Sequence, residues 1–122
     1  MNSPIRNHIK GVFVPVRDIH GARDWYSRVF GFTAGPVLHG HICCIEMEGP
    51  GLILDAKLRT ADGEVPVFRA PAVMLPTDDT HAAYEHLKRQ GVTLLTEILH
   101  GHFFNIADPD GNVLMICGPN PQ

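Results

Sequence analysis

Eight histidines and three cysteines are the side chains in this 122-residue sequence best suited to hold a metal or move a proton. Four of the histidines sit in two identical strings, Leu38-His39-Gly40-His41 and Leu99-His100-Gly101-His102. Four imidazoles brought together would suit zinc, nickel or copper. The competing reading is turn chemistry. His39 and His100 stand beside a glycine that can take positive φ, and His41 and His102 fall on the apolar, helix-packed side of their strands. Two carboxylates, Glu46 and Asp55, could serve as a general base if an apolar surrounding raised their pKa. Cys43, Cys44 and Cys117 form no CxxC, so they read as small buried hydrophobes rather than a thiolate metal site or a redox pair. Gly-rich phosphate loops and local Ser/His/Asp signatures are absent.

The elements that must position these residues come in two copies. The offset of 61 that carries Leu38 to Leu99 also carries Val12 to Val73, Pro15 to Pro76, Asp18 to Asp79, His20 to His81 and Ala22 to Ala83. A fixed internal period means a repeated structural unit. In the first copy, residues 11–16 read as a strand. Residues 18–30 read as a helix with Asp18 in the cap region, and its stripe is Ala22, Trp25, Tyr26, Val29 and Phe30. Trp25 lies in that stripe and so reads as a helix anchor. Three strands follow, over 33–38 (broken near Gly35-Pro36), 41–48 and 52–56. The second copy gives a strand over 72–76, a helix over 79–90, and strands over 92–99, 102–107 and 113–117. The last two are joined by Asp108-Pro109-Asp110-Gly111-Asn112, which is dense in turn residues. Each copy is thus β-α-β-β-β. Pro15 predicts a free edge or an interruption in the first strand.

Alternation assigns faces. Val12, Val14 and Val16 lie under the helix, so Gly11, Phe13 and Pro15 look the other way. The same parity turns Cys44, Glu46, Met74, Phe103, Asn105 and Met115 away from the helices. Together with Phe13 these residues predict an apolar cup with a few polar groups, which is the usual character of a small-molecule pocket.

Bulk numbers exclude several classes. Hydrophobic residues make up 44% and charged residues 19%, as in globular domains. Ten Lys and Arg against thirteen Asp and Glu leave a net charge of −3 and no basic run. Nucleic acid and anionic membrane surfaces are therefore poor partners. No stretch is long enough to span a membrane, and the first residues lack a secretory apolar region. Three cysteines without an export signal predict reduced thiols and a cytoplasmic protein.

The strings VFVPVRDIHGARDWYSRVFGF and FFNIADPDGNVLMIC resemble the vicinal oxygen chelate superfamily, which includes glyoxalase I, bleomycin-resistance proteins and extradiol dioxygenases. The resemblance runs from Gly11 to Ile116. It implies an α+β fold in which two βαβββ modules form a curled mixed-sheet cup with the helices outside. Residues 1–122 would be one domain, with module one at about 9–56, a linker or flap at 57–71 and module two at about 72–117. Metalloenzymes of the family place His, Gln or Glu at up to four cup positions. By resemblance these fall on Gly11, Ala72, Met115 and either Asp55 or Leu54, with Asp55 preferred. Gly and Ala offer no donor, and Met sulfur suits divalent ions poorly.

The expectation is therefore a protein without a metal or other cofactor that binds a small, partly apolar molecule. Its ligand residues would be Phe13, Cys44, Glu46, Met74, Phe103, Asn105 and Met115. A homodimer is implied by the resemblance. The alternative is a lyase, isomerase or dioxygenase-type enzyme, with Glu46 or Asp55 as base or with a non-standard metal held by Asp55, His39, His41, His100 and His102.

Overall fold

Two aspartates start the two helices. In the computed structural model, which describes residues 3–120, Asp18 Oδ1 accepts the backbone N–H groups of His20 and Gly21, each at 3.2 Å. Helix α1 (Ile19–Phe30) begins there. It ends at Gly31, whose φ of 73° only glycine takes without strain and whose N–H returns to the Ser27 carbonyl. Asp79 likewise caps α2 (Thr80–Arg89) by accepting the Ala82 N–H at 3.0 Å. Expectations that touch residues 1, 2, 121 and 122 lie outside the described range.

Strands β1 (Gly11–Pro15), β2 (Ala34–Leu38), β3 (Ile42–Ile45) and β4 (Gly51–Asp55) surround α1 in sequence. Strands β5 (Val73–Pro76), β6 (Thr93–Leu94), β7 (Phe103–Ala107) and β8 (Val113–Cys117) do the same for α2. Each set forms its own four-stranded sheet, in the order β1-β4-β3-β2 and β5-β8-β7-β6. The first pair of each order is parallel and the rest antiparallel, so both sheets are mixed. This is the expected pair of βαβββ modules. The two sheets do not close into a barrel. Pro15 and Pro76, each lacking a ladder donor, both fall on edge strands.

Differences from the periodicity have local causes. The ladder of β2 breaks between Ala34 and Val37, at Gly35-Pro36, where a break was expected. Strand β6 spans two residues rather than eight, because the Asn105 N–H turns from the backbone ladder to Thr96 Oγ1 at 3.1 Å. Strand β3 stops at Ile45, short of residue 48. There the Ile45 carbonyl oxygen would lie 2.6 Å from a Cβ on Gly51, a crossing that only glycine permits.

The helix-facing rows build one shared core. Val14, Val16, Tyr26, Val29, Cys43, Ile45 and Leu54 of module one are buried in a cluster with Leu75, Leu87, Phe104, Ile106 and Leu114 of module two. Trp25 is half-buried and packs edge-on against Tyr26 and Phe30, as a helix anchor. The turn between β7 and β8 fastens the modules together. The Tyr26 hydroxyl donates to Asp108 Oδ2 at 2.7 Å, and Asn112 Nδ2 donates to the Pro15 carbonyl at 2.7 Å. Segment 57–71 is tied down as well: the Phe68 N–H donates to Asn112 Oδ1 at 2.8 Å, and the Phe68 carbonyl accepts from Val113. Among the described residues no helix is long and apolar enough to cross a membrane.

Candidate functional site

On sheet one the face turned away from α1 is organised by register. Phe13 on β1, Ile53 on β4 and Cys44 on β3 lie side by side in one cross-strand row. Gly11 and Gly51 are paired at the neighbouring position. Removing two side chains beside an apolar row leaves a depression. An open hollow of about 780 Å³ occupies it, lined by Lys10, Gly11, Phe13, Cys44, Glu46 and Ile53 among others. Phe13 is 51% exposed there, and Cys44 and Glu46 are exposed. An aromatic side chain held at a sheet surface with nothing on it is a ready contact for an apolar ligand.

Sheet two carries the matching rows. Met74, Met115 and Asn105 form one, and Pro76, Cys117 and Phe103 the next. Met74 is 62% exposed, whereas Asn105 Oδ1 is buried with no hydrogen-bond partner. The seven expected ligand residues thus divide. Phe13, Cys44 and Glu46 share the large hollow. Met74 lines a separate hollow of about 250 Å³ between the modules, beside Val12, Met47 and Ala72. Phe103, Asn105 and Met115 line neither hollow. The division follows from the two separate sheets, each of which keeps its own face.

Ile53 and Lys10 escaped the sequence reading. Ile53 could have been found by counting correctly through the repeat. Strand β3 matches β7 at an offset of 61 (Cys44 to Asn105), but β4 matches β8 at 62 (Ile53 to Met115), because the first module's hairpin loop is one residue shorter. The counterpart of Met115 is therefore neither Asp55 nor Leu54. Asp55 instead matches Cys117.

That register also decides whether the metal implied by the resemblance fits. The four positions carry Gly11, Ile53, Ala72 and Met115. A Cβ on Gly11 would lie 2.9 Å from Ile53 Cδ1, so an apolar methyl fills the space where a ligating side chain would start. The donor set does not fit a divalent ion at this position.

The histidine strings resolve into hairpin turns. His39 and Gly40 have φ of 52° and 78°, and His100 and Gly101 have 48° and 76°. The His41 and His102 N–H groups close the turns on the Leu38 and Leu99 carbonyls at 3.1 Å. Positive φ at both central residues makes these type I′ turns, the kind that matches strand twist. His41 and His102 do not pack under the helices. His41 Nδ1 lies 3.0 Å from Asp55 Oδ1, which also accepts the Lys57 N–H at 2.9 Å. His102 Nδ1 lies 3.7 Å from Cys117 Sγ. The set Asp55, His39, His41, His100 and His102 therefore does not converge. Among the described residues no three His, Cys, Asp or Glu side chains form a group that could hold a metal ion. Of the cysteines, Cys43 alone is buried, and burial pushes its thiol pKa up; Cys44 is exposed and Cys117 intermediate.

The family model described as Glyoxalase/Bleomycin resistance protein/Dioxygenase superfamily matches residues 6–116. A search of curated proteins found no match. Among solved structures, the chain is similar to TnmS3, an antibiotic binding protein from Streptomyces sp. CB03234. The identity is 25%, 98% of this chain and 100% of that one are covered, and the TM-score is 0.76. It is similar in fold to a lactoylglutathione lyase from Agrobacterium tumefaciens, at 16% identity over 95% of this chain and 96% of that one, with a TM-score of 0.69. It is also similar in fold to a superfamily member from Sphaerobacter thermophilus, at 22% identity over 93% and 98%, with a TM-score of 0.72.

Proposed function

Because the chain belongs to the Glyoxalase/Bleomycin resistance protein/Dioxygenase superfamily, we propose that it binds a small, partly apolar molecule on the open face of sheet one and does so without a metal. The observation that carries this reading is the hollow of about 780 Å³ over Phe13, Ile53 and Cys44, floored by Gly11 and Gly51. Its walls are mainly apolar, and Lys10 and Glu46 stand at it as the charged groups that would orient a ligand. The similarity to an antibiotic binding protein supports a small-molecule ligand.

The enzymatic alternative rests on Glu46, the carboxylate that lines the hollow. Glu46 is exposed, without the burial that would favour a general base there. Asp55 lines neither hollow and is held by His41 and the Lys57 N–H.

The proposal includes a homodimer in the cytoplasm. Phe13, Leu38, Met74 and Leu99 are large apolar side chains left exposed. All three cysteines are free, as suits a reducing compartment.

Calorimetric titration of chelator-treated protein with a panel of planar, apolar antibiotics tests the reading. Binding is expected to survive chelation. Phe13→Ala should weaken it by about 1.5–3 kcal/mol, the worth of one buried aromatic side chain. Binding that needs added divalent metal, or turnover of a hemithioacetal abolished by Glu46→Gln, would overturn it.

A further inference from the structure

Two opposite charges line the hollow on sheet one, and the strand order puts them at its opposite ends. Lys10 leads directly into β1 and Glu46 follows directly on β3, with β4 between them. Two strand spacings set the backbones of β1 and β3 about 10 Å apart. Along that line the floor is bare backbone. Gly11 pairs with Gly51, and Glu46 Cα lies 3.8 Å from the point where a Gly51 Cβ would stand. Phe13 and Ile53 run beside it as the neighbouring apolar row. The ion pairs among the described residues are Arg17–Asp110 and His41–Asp55, so Lys10 and Glu46 both stand unpaired.

We infer that the ligand of this hollow is a flat, fused-ring zwitterion that lies across β1, β4 and β3, with its acid group at Lys10 and its ammonium group at Glu46. The inference rests on the reading of the sheet-one hollow as the ligand site and adds the ligand's class to it.

Each part of the hollow selects one feature. Peptide groups without Cβ atoms let a ring system approach the floor closely. The half-exposed Phe13 offers a ring beside that floor for stacking. The volume of about 780 Å³ suits a drug-sized molecule rather than a single small ring. The charges set polarity, because the β1 side is positive and the β3 side negative. A purely anionic ring system gains at Lys10 and is repelled at Glu46, and a purely cationic one meets the converse. A zwitterion with its charges at opposite ends of the rings satisfies both. An α-amino acid holds its two charges on one carbon and is too short to span the floor. Glu48, the next acid along the chain, lines the smaller hollow between the modules and takes no part.

The test compares ciprofloxacin, which carries a carboxylate and an ammonium at opposite ends of a fused bicyclic ring, with its N-acetyl derivative and its methyl ester, each lacking one charge. Affinities are read by calorimetry on chelator-treated protein in metal-free buffer. Ciprofloxacin should bind about fivefold more tightly than either derivative, the worth of one partly solvated charge pair. Glu46→Gln should erase the preference over the N-acetyl derivative and keep the preference over the ester. Lys10→Met should do the reverse. Both side chains are exposed, and a loss of folding would lower all affinities together rather than exchange the preferences. Three equal affinities that all fall in Phe13→Ala would overturn the zwitterion and leave the apolar site standing. Preferences that persist in both charge variants would overturn it as well. So would an absence of ciprofloxacin binding, whereas the reading of the hollow itself fails only if the wider antibiotic panel fails too.

Discussion

The phenol of Tyr26 is fully buried and donates to Asp108 Oδ2 across 82 residues of sequence. Burial first, and then the Asp108 carboxylate, raise its pKa far above the usual 10.0. In the unfolded chain the same phenol ionises near the usual value. Above pH 10 the unfolded state therefore binds fewer protons than the native state, and stability falls as pH rises. The contribution of Tyr26 to that fall should be about 1.4 kcal/mol per pH unit. Urea unfolding between pH 9 and 11 checks this: that slope is reached only above pH 11, so across the window Tyr26→Phe should remove about 1.4 kcal/mol of the fall in total. At neutral pH the same substitution should cost about 1–3 kcal/mol, since it leaves a buried carboxylate one donor short. Tyr26 was legible as a member of an apolar stripe, but its partner was not. Helical periodicity tells which way a side chain points and says nothing of a hydroxyl's acceptor in the other module. This contact joins the two strings that carried the family resemblance. Their pairing reports how the modules are fastened, which explains why they identify the fold and leave the ligand open.

At the scale of elements, the repeated Leu-His-Gly-His string shows that two of its four histidines, His39 and His100, are placed by turn conformation. Asn, Asp and His visit the left-handed region more readily than other non-glycine residues. His39 and His100 therefore serve as the first central residue of a type I′ turn, where Asn is the more usual choice. His39→Asn and His100→Asn should leave the melting temperature and any ligand affinity nearly unchanged. His39→Val should cost about 1–2 kcal/mol in denaturant unfolding, because a β-branched side chain clashes at positive φ. A large loss of binding in the asparagine variants would return the histidines to a functional role. Strand faces were legible from alternation, down to the exposure of Phe13, Cys44 and Met74. The register of β4 was not, because a hairpin shorter by one residue moves every later match without leaving a mark in composition. That single residue separates Leu54, where the strict offset of 61 points, from Ile53, which sits in the hollow.

For the whole molecule, the decisive feature is that the repeat yields two separate open sheet faces rather than one enclosed cup. Module one offers a large hollow that no residue of module two lines. Module two offers a face with Met74 exposed and Asn105 Oδ1 buried without a partner. Neither fact was available from alternation, which places residues on a face but does not say whether two faces meet. A two-fold axis would let each copy lay its second sheet over the first sheet of the other, so that one isologous contact completes two sites. Phe13 and Met74 occupy equivalent positions in the repeat, so the same contact would cover both. Sedimentation equilibrium at micromolar concentration should then give twice the chain mass of 13.4 kDa. Met74→Lys places a charge on that face at a side chain that takes no part in the core. It should yield a folded monomer with unchanged helical circular dichroism. Because a shared site loses half its wall in the monomer, Met74→Lys should also weaken antibiotic binding, although Met74 does not line the hollow within its own chain. A wild-type monomer at micromolar concentration would remove the shared-site argument. A dimer whose Met74→Lys variant binds ligand normally would show that sheet one suffices on its own.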